Sequence, residues 1–219
     1  MAGLFINIHS HTAPSPNEWV IQNLYSHWEK ADMPGCFSIG IHPWHIEEGW
    51  EEQLLKMKQQ VSHPHVIAIG ECGLDKACKT EFSLQQLLFA EQIALANTVQ
   101  KPLIIHCVRA WDEVLSMLKS AAKVKVIFHG FNKNAELARR IISAGFYISL
   151  GKALSEQRIK EVLRHIPASH FFLETDNDNI PIENIYKEAA EALSIDHNSL
   201  SLQLQKNALA VFGAAAVIP

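Results

Sequence analysis

Short apolar, β-rich runs recur along this chain with helical patterns between them, and that alternation restricts the fold more than any other feature. The runs cover residues 4–9, 36–41, 66–70, 102–106, 124–129, 146–150 and 171–174. Each is nearly continuous in apolar residues, the pattern of strands covered on both faces in a parallel sheet. Between them, residues 83–96 keep apolar side chains at i, i+3, i+4 spacing and predict a helix. Residues 112–119, 134–144, 156–165, 185–193 and 200–212 behave alike, with Asn134 and Ser155 as expected helix caps. Strands alternating with helices imply βαβ units. With no Gly/Ser linker or repeat to divide it, the chain reads as one α/β domain over residues 1–219.

A (β/α)8 TIM barrel needs an eighth strand, and the fold typically takes about 250 residues. The candidate is 18–24. Its Val20, Ile21 and Leu24, continued by Tyr25 and Trp28, would equally line a helix with Ser15 and Glu18 as a capping box. Periodicity favours the helix and barrel closure the strand. The expectation is a strand, in a barrel abbreviated near its N-terminus by loss of the first crossover helices.

Composition then removes whole classes. A hydrophobic fraction of 48% excludes a disordered chain. No run approaches the roughly 18 apolar residues of a membrane span. Residues 1–7 contain no basic residue, so no signal peptide is expected. The four cysteines, Cys36, Cys72, Cys78 and Cys107, form no C-x-x-C pair, and reduced thiols in the cytoplasm are the expectation. A formal charge of −4 excludes a globally basic nucleic-acid binder, although not a local groove.

Twelve histidines are many, and their positions carry the chemistry. Five strand ends bear a potential metal ligand: His9 and His11, Glu71, His106, His129, and Asp176. With period 2, His9 and His11 project from one face. In a barrel these ends meet on the C-terminal rim, where the active sites of that fold lie. A lone strand-end histidine is commonly a hydrogen-bonded core residue, and a lone acid a helix cap. Four imidazoles and two carboxylates together are costly to bury unless a cation compensates. Mixed imidazole and carboxylate without thiolate suits Zn²⁺, Mn²⁺, Fe²⁺, Co²⁺ or Ni²⁺, with Mg²⁺ admissible if water fills its shell. Six ligands would serve two divalent ions about 3.5–4 Å apart. Glu71 is then the expected bridge.

With these residues assembled, the chain resembles the TatD family of metal-dependent deoxyribonucleases, among the amidohydrolase-like barrels. The likeness runs from His9 to about Asn207. It is carried by His9-Ser10-His11, Gly40-Ile41-His42-Pro43, Gly70-Glu71-Cys72-Gly73-Leu74-Asp75, Ile105-His106 with Arg109 beyond, Phe128-His129-Gly130-Phe131 and Glu174-Thr175-Asp176. The resemblance implies a TIM barrel, metal-assisted phosphodiester hydrolysis, and metal binding by the same six residues. The family usually has Asp two residues before its first histidine, where this chain has Asn7. It also commonly continues Ser-Pro after the last Asp, where this chain reads Asn177-Asp178-Asn179.

The expected reaction begins with a water held by two cations, its pKa drawn from about 15.7 towards roughly 7. Asp176 is the candidate general base, and His42 and Arg109 the candidate phosphate contacts. For His42 the competing reading is a turn histidine fixed by Pro43, and for Arg109 a helix-start cation facing Asp112. The expected substrate is single-stranded or frayed DNA ends. Rival functions are hydrolysis of another ester, amide or phosphoester on the same site, a carbamylated-lysine hydrolase, disfavoured by Glu71, and a non-catalytic metal-binding barrel.

Overall fold

The computed structural model describes residues 4–216, so residues 1–3, part of the stretch read against export, lie outside it. Eight strands form one sheet in chain order: β1 (Phe5–Ser10), β2 (Glu18–Leu24), β3 (Cys36–Ile39), β4 (Val66–Asp75), β5 (Leu103–Val108), β6 (Val126–Phe128), β7 (Tyr147–Leu150) and β8 (Phe171–Leu173). The described helices are α1 (Trp50–Gln60), α2 (Phe82–Val99), α3 (Trp111–Ala121), α4 (Ala135–Ser143), α5 (Gln157–Arg164), α6 (Ile182–Leu193) and α7 (His197–Phe212). The last strand returns to the first. Ser10 pairs in parallel with Asp176, His11 N donates to Asp176 O at 3.1 Å, and Asp176 N donates to His9 O at 3.0 Å. Eight parallel strands with helices between them make the expected (β/α)8 barrel. No described helix is long and apolar enough to cross a membrane.

The chain divides into two compact units. The first comprises residues 1–22 and 128–219. Its core packs Ile6 and Ile8 of β1, Phe171 and Phe172 around β8, and Tyr186 of α6, all fully buried. The Tyr186 hydroxyl accepts from Ile6 N at 2.8 Å and donates to Ile6 O at 3.2 Å, so the buried phenol is satisfied by the strand it covers. Burial pushes its pKa up.

The second unit, residues 23–127, is organised by α2. Two buried glutamines on this helix, seven positions apart in sequence, reach strand ends. Gln92 bonds both N and O of Ile41, at 2.8 and 3.1 Å, and Gln85 does the same for Asp75, at 2.8 and 3.1 Å. The backbone beside His42 and at Asp75 is thereby anchored to a rigid element. Strand β4 runs five residues beyond the apolar run that predicts it, because its polar continuation still pairs with β5, Gly73 opposite His106. Gly73 has φ +145°, and a Cβ there would lie 2.0 Å from His106 O, so only glycine admits this approach.

The ambiguous segment is a strand. Phe5, Ile6 and Asn7 pair with Glu18, Trp19 and Val20. The Ser15–Glu18 contact exists, with Ser15 N donating to Glu18 Oε2 at 2.9 Å, but ladder pairing overrides the helical period. Between β1 and β2 there is no helix, and between β2 and β3 only the 3-10 turn Trp28–Asp32. Asn134 caps α4 as expected, its side chain accepting from Leu137 N at 3.0 Å. Ser155 does not cap α5: it closes the 3-10 turn Lys152–Ser155, and Glu156 takes the N-cap position without a side-chain bond. Helix α1 has no counterpart among the expected elements, because it buries only Leu54 and Met57 and its periodic signal is weak.

Candidate metal centres

In the first unit, β1 delivers His9 and His11 with the spacing that sends both to one side. His9 Nε2 and His11 Nε2 each lie 3.5 Å from Asp176 Oδ1. His129, at the end of β6, stacks at a tilt on His9 with ring centroids 4.4 Å apart. Ligand atoms of His9, His129 and Asp176 all fall within 4.8 Å of one another. Glu174, fully buried, sits with Oε1 3.5 Å from His129 Nδ1 and takes Gly130 N at 2.6 Å. Glu174 thus stands within ion-pair reach of His129 Nδ1, a position from which a carboxylate can orient a ligand histidine. Burial opposes ionisation of Asp176. The hydrogen bonds from His11 and His9, with the charges of His9 and His129, outweigh it and hold the carboxyl well below the usual range. Asp176 also adopts φ +52°, a left-handed conformation uncommon outside glycine.

Asn7 is buried beneath this group and fully used. Its Nδ2 donates to Glu18 Oε1 at 2.6 Å and to Thr175 Oγ1 at 2.9 Å, and its Oδ1 accepts from Thr175 N at 3.1 Å. It thus fixes the residue preceding Asp176. The negative charge missing from position 7 stands on its partner Glu18.

In the second unit, Glu71 of β4 and His106 of β5 meet at 2.8 Å, Oε1 to Nδ1. His106 Nε2 faces Asp75 Oδ2 at 3.1 Å. An imidazole with one proton satisfies one of these carboxylates; the other contact calls for a second proton or a cation. With the proton on Nε2 towards Asp75, Nδ1 and Glu71 Oε1 remain as a donor pair for a divalent ion. The donor chemistry therefore fits a metal. His42, buried at the end of the β3 segment, brings Nε2 to 3.3 Å from Glu71 Oε1, while its Nδ1 accepts from Trp44 N at 3.0 Å. Burial lowers the His42 pKa, assisted by His106 and His45 and opposed by Glu71. The ring is therefore neutral, and because Nδ1 is an acceptor its proton lies on Nε2. That makes His42 a hydrogen-bond donor in this arrangement, although its nitrogens come within 4.8 Å of the Glu71 and His106 ligand atoms. Its turn is also stiffened by Pro43, as the competing reading has it.

Arg109 follows β5, exposed, with φ +55°. The structure thus assembles His9, His11, His129 and Asp176 in one unit and Glu71, His106 and His42 in the other. Sequence reasoning missed Asp75, Glu174 and Trp44 as working residues. The first two lie inside quoted motifs, and a carboxylate near each ligand histidine is a signal that could have found them.

A family model described as TatD related DNase matches residues 15–213. The chain belongs to the TatD family. An uncharacterized metal-dependent hydrolase of Bacillus subtilis, YabD, is 38% identical over 145 residues, 64% of this chain and 57% of its own length. Some relatives carry the name 3'-5' ssDNA/RNA exonuclease TatD. That of Klebsiella pneumoniae is 32% identical over 172 residues, 74% of this chain and 62% of its own. That of Edwardsiella piscicida is 27% identical over 215 residues, 86% and 82%. The chain spans only 57–61% of the length of YabD and three other metal-dependent hydrolases that it matches. The crystal structure of the Escherichia coli TatD homologue YjjV superposes with a TM-score of 0.86 at 22% identity, covering all of both chains, which shows the fold.

Proposed function

We propose that this TatD-family chain is a single divalent-metal-dependent hydrolase domain that cleaves phosphodiester bonds at single-stranded or frayed DNA ends. The observation that carries this reading is the pairing of each imidazole–carboxylate cluster with a bracing acid, Asp75 behind His106 and Glu174 behind His129. Carboxylates so placed orient ligand imidazoles in metal sites. The metal-dependent and exonuclease names of relatives support the reaction class.

One divalent ion at His9, His11, His129 and Asp176 and a second at Glu71 and His106 is the stoichiometry we infer, from among zinc, manganese, iron, nickel or magnesium. Ions bound there would acidify water and offset phosphate charge. The protein groups do the rest. His42, whose Nε2–H faces Glu71 Oε1 at 3.3 Å, would turn that donor to a non-bridging phosphate oxygen once an ion occupies the Glu71 carboxylate, and exposed Arg109 offers a second contact. Asp176, ionised at neutral pH, takes the proton of the attacking water onto a carboxylate oxygen. A cytoplasmic setting, in which four free thiols persist, belongs to the same proposal.

The test is degradation of end-labelled single strands beside covalently closed circular single strands by metal-loaded protein. Loss of the linear strands alone is expected; efficient cutting of circles overturns the end preference. No Lys or Arg lies between Arg164 and Lys187, and Lys152, which shares the cavity of Asp176, is paired with Asp178, so we expect few phosphates to be neutralised there. With counterion release near −0.7 per phosphate on single strands, log K against log salt at fixed metal should fall only shallowly. A slope steeper than about −4 would reveal a multi-phosphate groove.

A further inference from the structure

Trp44 is 62% exposed, an expensive state for the largest apolar side chain unless it meets something. It is also held still. Its Nε1–H donates to Asp75 Oδ2 at 2.6 Å, and its ring stands edge-on to His42 at 5.1 Å and to His106 at 6.0 Å. Its own backbone N is bonded to His42. One edge of the indole is thus fixed against the Glu71–His106 cluster while much of the ring stays in solvent.

A cavity of about 340 Å³ adjoins it, lined by Trp44, Asp75, Ala77, Cys78, Lys79 and Thr80. That volume lies in the range of small-ligand sites, roughly 300–1,000 Å³. Its wall is tied down: Thr80 Oγ1 donates to Pro43 O at 2.7 Å, and Cys78 Sγ lies 3.3 Å from Asp75 O. Lys79 is exposed and makes no ion pair among the described residues, whereas neighbouring Lys76 is engaged by Glu113. A flat aromatic face, a preformed cavity and an uncommitted ammonium are the parts that receive one nucleotide of a flexible strand.

We propose that Trp44 and this cavity form a nucleobase-stacking subsite, with Lys79 taking an adjacent phosphate, that holds single-stranded substrate beside His42, Glu71 and His106. The inference rests on the nuclease reading above and gives it a substrate form. A pinned indole loses little rotamer freedom on stacking, so most of the contact energy is retained. Asp75 Oδ2 accepts from both Trp44 and His106, so the base platform and the ligand imidazole share one anchor.

The experiment is steady-state hydrolysis of hexadeoxyadenylate by metal-loaded protein, repeated with one base removed at each position in turn. Base–aromatic stacking is worth roughly 5- to 150-fold by alanine substitution, and W44A should raise KM by that order. W44F, which keeps a π face, should recover most of it. Removing the stacked base should cost the wild type a comparable factor at one position and cost W44A nothing further there. K79A should flatten the dependence of log KM on log salt by about 0.7. If W44A does not fold, W44L makes the same comparison, with apolar bulk but no π face. Wild type and variant responding alike at every abasic position, while both still degrade the intact strand, would overturn the subsite alone. A wild type that degrades no single strand would overturn the nuclease reading and the subsite with it.

Discussion

Asp75 lies against His106 with Oδ2 3.1 Å from Nε2, while Glu71 Oε1 stands 2.8 Å from Nδ1, so the imidazole is held between two carboxylates. The pair joins neighbouring strands β4 and β5, and Gln85 fixes the backbone of Asp75 at both N and O. Burial of Asp75 opposes its ionisation, but the hydrogen bonds from His106, Ala77 N and Trp44 prevail and lower its pKa. The ionised carboxylate is therefore an acceptor for Trp44 Nε1–H and Ala77 N and faces His106 Nε2.

Asp75→Asn removes that carboxylate while keeping its shape. Metal affinity should fall by about 10- to 100-fold, the usual cost of losing an outer-sphere partner, as read by competition against a chelator of known affinity. Unaltered affinity would reduce Asp75 to an anchor for Trp44.

Glu71→Gln should lower metal stoichiometry and abolish hydrolysis, because the amide offers a weaker donor beside His106 Nδ1. Elemental analysis of protein purified without chelator reads how many ions depend on this carboxylate. Full occupancy with full rate would remove Glu71 from the ligand set.

Asp176→Asn can still coordinate through its carbonyl oxygen but cannot accept a proton. The variant should keep its fold and most of its metal while losing at least the ~10²-fold typical of a missing general base. Wild-type turnover in protein of verified metal content would exclude Asp176 as the base.

Asn7→Asp should restore the acid common in TatD relatives and destabilise this chain. It would set a carboxylate where Asn7 Nδ2 now donates to Glu18 Oε1 at 2.6 Å, losing that bond and the one to Thr175. A cost of about 1–3 kcal/mol is expected at neutral pH. Repulsion raises the folded-state pKa of the new pair above its unfolded value. The deficit should therefore shrink as pH falls through that raised pKa and grow as pH rises. Thermal unfolding of the metal-free variant and wild type across pH 4–8 measures this; a pH-independent difference would contradict the charge argument.

Much of the barrel is legible in the chain because buried parallel strands must be apolar on both faces. The runs ending at His9, His106 and His129 therefore stand out, and the polar residue that terminates each is conspicuous. The 18–24 segment is different. Its side chains satisfy a helical and a strand period equally, and only hydrogen bonding of Glu18, Trp19 and Val20 to β1 decides between them. Helix α1 escapes because two buried residues make no stripe.

By itself the sequence determined the alternation of strands and helices, the common side of His9 and His11, and the set of imidazoles and carboxylates that suits a divalent ion. All of these follow from local periodicity and donor chemistry. Tertiary structure decided how the donors are used. Trp44 and His106 each lie 31 residues from Asp75, Thr175 lies 168 from Asn7, and Glu18's partner is 11 away on another strand. How His106 is held between two carboxylates, why Asn7 is tolerated and why Trp44 faces solvent depend on those contacts. A hydrogen bond needs two atoms within about 3 Å, and between residues so far apart in the chain only the closed fold supplies that distance.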